Sequence, residues 1–129
     1  MPFWGLVVTS LGFAIPALLA FHKRRWICTT SCGAITLTSL AYHGTVHPIA
    51  KTIDMTVAHI VGAGWIIESM RRAIFIRRPA DALTCIMTLG SMCIYLTKSR
   101  NNFTQTSQIW HMVFHGLSQG AWCVYLLCN

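Results

Sequence analysis

The chain has 129 residues, 54% of them hydrophobic and only 10% charged, with a net charge of +7. Soluble domains carry roughly 25% charged residues, so a chain this short and apolar has little surface to spare for water. Its class is an all-α integral membrane protein, and its length predicts one transmembrane domain over residues 1–129. The basic residues sit in short clusters between apolar runs, with no aromatics interleaved along a face. That pattern fits topology signals or anionic-lipid contact and argues against nucleic acid as a partner.

In chain order, the uncharged run over residues 2–21 is long enough to span a bilayer core of ~30 Å at ~1.5 Å per residue, with a kink at Pro16. A cleaved signal peptide is the competing reading, but the basic residues follow this run instead of preceding it. A basic turn over residues 22–25 leads to a second helix over 26–43. A short connection through His47 and Pro48 leads to a third over 52–70. Arg71, Arg72, Arg77 and Arg78 form the next turn. Asp81 is the expected N-cap of a fourth helix over 81–96. A polar loop then precedes a fifth helix over 108–128. The expectation is a bundle of about five transmembrane helices.

Seven of the ten Lys and Arg residues fall in the first and third connections. The positive-inside rule then puts the N-terminus lumenal or outside and the C-terminus in the cytosol or matrix. The membrane would be an organelle's: endoplasmic reticulum or Golgi, or the mitochondrial inner membrane for a subunit of a complex there.

Two stretches carry chemistry. Residues 39–54 hold Ser39, His43, His47 and Asp54, and residues 110–115 hold His111 and His115. Ser39 lies four residues before His43, on the same helix face, and His111 and His115 share that spacing. With a turn near Pro48, His43 and Asp54 should face each other across a helical hairpin. The topology puts all five residues at similar depth. Ionisable side chains within a membrane are costly, and by default they are functional candidates. Three imidazoles suit zinc with a fourth position open to water. Two histidines at i and i+4 can bind one metal from one helix face. Asp54 would then take a proton from the water, and Ser39 would donate to a developing oxyanion.

The set Ser39-x-x-x-His43, then Asp54, then His111-x-x-x-His115 on the final helix resembles the CREST superfamily. That group includes the alkaline ceramidases, the adiponectin and progestin receptors and the hemolysin III proteins. The eleven-residue step from His43 to Asp54 is similar to the ceramidase branch. The resemblance implies a zinc-dependent, ceramidase-like membrane hydrolase that cleaves an amide or ester bond in a lipid. It also implies that His43, His111 and His115 bind the metal, with Asp54 and Ser39 around the water. The departure is size: those families have seven helices, so this chain would be a reduced form.

Plainer readings compete at each position. His59 is expected to make a helix-helix hydrogen bond, and His47 to be interfacial or to support a ligand. Glu68 lies about 21 Å along the helix from Asp54 and should pair with Arg71 or Arg72. The six cysteines form no C-x-x-C pair or zinc-finger spacing and are expected to pack as small apolar groups, with Cys128 a palmitoylation candidate. Gly116 and Gly120 form a GxxxG pattern, so the last helix should pack tightly on a neighbour. Asn102 begins a glycosylation sequon. For the whole chain the rival is a non-catalytic accessory subunit of a large respiratory or photosynthetic membrane complex that keeps this fold. Haem is disfavoured, since HxxxH puts two histidines together where a haem needs one per side.

Overall fold

The computed structural model of the chain describes residues 3–99 and 104–129, and among these every regular element is helical. The sequon residue Asn102 and the loop residue Arg100 lie outside the described residues. The chain divides into two compact units, Met1–Gly62 and Ala63–Asn129, with the boundary inside one long helix.

The first unit begins with α1 (Trp4–Leu11) and α2 (Ala14–His22), which are one apolar run broken in its middle. The break is not at Pro16 itself but just before it, because proline offers no N–H to the carbonyl four residues back. That carbonyl, on Gly12, accepts instead from Ile15 N–H at 3.1 Å. The same tightening appears at Gly12 N–H to Thr9 O and Phe13 N–H to Ser10 O, each 3.1 Å. Both helices pack on α3 (Trp26–Thr45).

Helix α3 ends in a turn at Val46 and His47, and α4 (Pro48–Phe75) starts at once. Val46 has φ 55°, a left-handed conformation in which a β-branched residue is a genuine outlier. Its N–H caps the helix by donating to Tyr42 O at 2.7 Å. His47 caps the next helix: its Nδ1 accepts from Ile49 N–H at 3.2 Å. Pro48 is therefore the first residue of α4, where its fixed φ suits a helix and its missing N–H costs nothing.

In the second unit α4 continues to Phe75, so Arg71 and Arg72 are helical, and only Arg77 and Arg78 occupy the turn. Ala and Arg are strong helix formers, and nothing before residue 76 stops the helix. Helix α5 (Pro79–Ile94) has Pro79 at its first position and Arg78 as N-cap, without a side-chain capping bond. Asp81 is thus not the cap. It sits inside the first turn and accepts from Arg72 Nε at 2.7 Å. A π-helical turn, Tyr95–Ser99, extends α5 beyond the expected end. Helix α6 (Gln105–Cys128) is capped by Thr104, whose hydroxyl accepts from Ser107 N–H at 3.1 Å, and it packs along α5.

The pattern of burial is inverted relative to a water-soluble protein. Ser39, His43, Asp54, Asp81, Thr84, Thr88, Ser91, His111 and His115 are buried, while Ile27 (83% exposed), Leu37 (70%), Ile60 (70%) and Ile86 (68%) face outward. Two segments, Trp4–His22 and Pro79–Ser99, are long and apolar enough to cross a membrane. Helices α3, α4 and α6 are as long but carry more polar side chains, some buried and some exposed, which lower their mean hydropathy.

Candidate functional site

In the first unit α3 and α4 bring Asp54 to Ser39. Ser39 Oγ donates to Asp54 Oδ1 at 2.7 Å, and Thr38 Oγ1 donates to the same oxygen at 2.8 Å. The register follows from the turn. Because it is centred on Val46 and His47, the residues equally far from it are Ser39 and Asp54, not His43 and Asp54. His43 lies one helical turn nearer the connection, on the face that carries Ser39. It is fully buried, beside Tyr42 (ring centroids 4.7 Å) and Phe3 (6.4 Å), and its carbonyl accepts from Phe3 N–H at 3.0 Å.

The structure shows where the Ser39 hydroxyl is directed. A serine has one hydroxyl proton, and here it is directed at Asp54, so the side chain orients the carboxylate. Thr38 was missed by the sequence reading. The available signal was a second hydroxyl residue beside Ser39 in an otherwise apolar run.

In the second unit His111 and His115 are both buried on one face of α6, with ring centroids 4.7 Å apart and planes at 75°. The π-turn at the end of α5 aims the Ser99 carbonyl at His111 Nδ1, 3.4 Å away. A carbonyl can only accept, so this contact places the proton on Nδ1 and leaves Nε2 as the nitrogen with a lone pair. Tyr95 and Phe114 meet the same ring edge-on, with centroids 6.2 and 5.5 Å away. Single π-turns recur at functional sites because they redirect one carbonyl without ending the helix. Nothing in the sequence of residues 95–99 announced this one.

The remaining candidates have local roles. His59 is exposed, and its Nδ1 donates to Met55 O on its own helix. Glu68 takes a two-pronged contact from Arg71, at 2.8 and 2.9 Å. Among the described residues none of the six cysteines is in a disulfide. Of the two glycines in the GxxxG pattern, only Gly120 touches a neighbouring helix. A Cβ there would lie 2.7 Å from Met87 Cε of α5, whereas one at Gly116 would meet nothing within 4 Å.

A second buried charged group lies in the second unit. Arg72 donates to Asp81 and to the Asn129 side chain, and its guanidinium sits 5.0 Å from the centre of the Tyr125 ring. Beside it Trp65 and Trp122 stack 3.8 Å apart, with Tyr125 edge-on to Trp65 at 4.9 Å. No family model matches the chain, and no curated protein or solved structure matches it either.

Proposed function

We propose that the chain is a five-span membrane protein in which His43, His111 and His115 hold one zinc ion, and that it hydrolyses an amide or ester bond in a lipid. The membrane reading is supported by the inverted burial, since apolar side chains facing outward cost free energy in water and none in lipid. The N-terminus is then lumenal or outside, as the distribution of Lys and Arg requires.

The donor chemistry fits the metal. Three buried imidazoles each offer one nitrogen, which is the ligand set of an open zinc site. The contact from Ser99 to His111 is the kind of outer support that fixes a ligand's tautomer and raises its basicity. A bound zinc supplies Lewis acidity, which lowers the pKa of water towards ~7 and polarises a carbonyl.

Asp54 accepts the proton from the attacking water and returns it to the leaving amine or alcohol. Ser39 orients that carboxylate, and the rings of Phe3, Tyr42, Tyr95 and Phe114 line the histidines with apolar surface. The observation that carries the reading is Asp54, a carboxylate 8% exposed and held by hydroxyls one helical turn from His43. A structural carboxylate so placed would be expected to meet a cation; this one meets neutral donors.

The test is turnover of ceramides and other lipid amides and esters by detergent-purified protein. The wild type should turn over at least one class, and Asp54→Asn should lose about 10²-fold or more, as for other general bases. Absence of turnover and metal, together with co-purification in a stoichiometric membrane complex, would overturn the hydrolase reading in favour of an accessory subunit.

A further inference from the structure

Asp54 Oδ1 receives two hydroxyl donors, while among the described residues no hydrogen bond reaches Oδ2. The donors come from consecutive residues of α3, whose side chains leave the helix about 100° apart. They therefore approach Oδ1 from two directions. One donor would fix a distance and leave the carboxylate free to swing about its terminal torsion, which is broad and shallow. Two donors fix the oxygen and, with it, the direction in which Oδ2 points.

The Thr38 hydroxyl has one other acceptor in reach, Ile35 O at 3.4 Å, but Asp54 at 2.8 Å is the shorter and charge-assisted partner. Thr36, two residues earlier and buried, behaves differently and donates only to its own helix, to Cys32 O at 2.8 Å. The bond from Thr38 is thus not the default of a threonine in this helix.

We propose that Thr38 is a positioning residue: with Ser39 it holds Oδ1 of Asp54, and so presents Oδ2 as the oxygen that meets the reacting water. This rests on the reading of Asp54 as the general base. It implies that neither hydroxyl takes part in the chemistry directly. It also implies that the two do the same job, so that losing either loosens the same carboxylate.

The test uses the full chain, purified without metal and labelled with ¹³C at the aspartate side-chain carboxyls. Difference infrared spectra against Asp54→Asn assign the Asp54 carboxylate stretch. Thr38→Val, nearly isosteric, should shift that band, Ser39→Ala should shift it too, and Thr38→Ser should restore it. Thr36→Val should leave it in place, which separates the clamp from a general loss of packing. With zinc-loaded protein and a turned-over lipid, Thr38→Val should lower kcat while KM holds, and Thr38→Ser should recover it. A band unmoved by Thr38→Val overturns the clamp whether or not zinc binds. A shifted band with kcat unchanged overturns the positioning role. If the band shifts but the protein takes up no zinc, the hydrolase reading fails, and with it the assignment of Oδ2 to a reacting water.

Discussion

Asp81 is 1% exposed, and Arg72 is its ion-pair partner. Among the described residues Asp81 Oδ2 has no hydrogen-bond partner, so the contact from Arg72 to Oδ1 is what compensates the buried charge. Breaking a buried pair from one side costs about 3–5 kcal/mol, because it strands the other charge. Arg72→Leu should therefore lower stability by about that amount in a detergent unfolding titration, and adding Asp81→Asn should recover part of it. A loss below about 1 kcal/mol would show that Asp81 finds another partner. The same logic separates the two carboxylates. Asp81 is met by a guanidinium, as a structural carboxylate would be, whereas Asp54 is met by two neutral hydroxyls, as the proposed general base requires.

Helices α5 and α6 meet where Gly120 faces Met87. A methyl at Gly120 must displace the end of a flexible side chain, so Gly120→Ala should cost about 1 kcal/mol and Gly120→Ile considerably more. Gly116→Ala meets open space and should be neutral or stabilising by up to ~1 kcal/mol from helix propensity. Equal effects at the two sites, read from the same unfolding titration, would contradict this packing. The GxxxG pattern in the sequence could not tell the two glycines apart, since it records spacing and not the neighbour. Much of the element scale was legible nonetheless. Five helical segments, the hairpin through residues 46–48 and the HxxxH face of α6 all follow from apolar runs, proline and i, i+4 spacing. What was misread has a physical cause in each case. Pro48 opens a helix instead of centring the turn, which moved Asp54 from His43 to Ser39. Arg71 and Arg72 look like a loop because they are charged, yet they are good helix formers. The π-turn at Tyr95–Ser99 and the clamp from Thr38 depend on tertiary contacts that a one-dimensional pattern does not hold.

Over the described residues the defining feature is that many polar side chains are buried beside a small apolar core, while many large apolar ones face outward. Averaging hydropathy along a helix hides this: among the described residues two segments are apolar enough to cross a membrane by composition, while large apolar residues are exposed along all the helices. On the account proposed here that inverted interior exists to hold three imidazoles and one carboxylate away from water. Metal binding to neutral imidazoles competes with their protonation, so bound zinc should be released on acidification, read as zinc content against pH. The measurement that bears most directly on the account is metal content by mass spectrometry of detergent-purified protein, wild type beside His115→Ala, with helicity checked by circular dichroism. The account predicts about one zinc ion per chain in the wild type and little or none in an equally helical His115→Ala protein. No zinc in the wild type, or the same zinc in both, would contradict it.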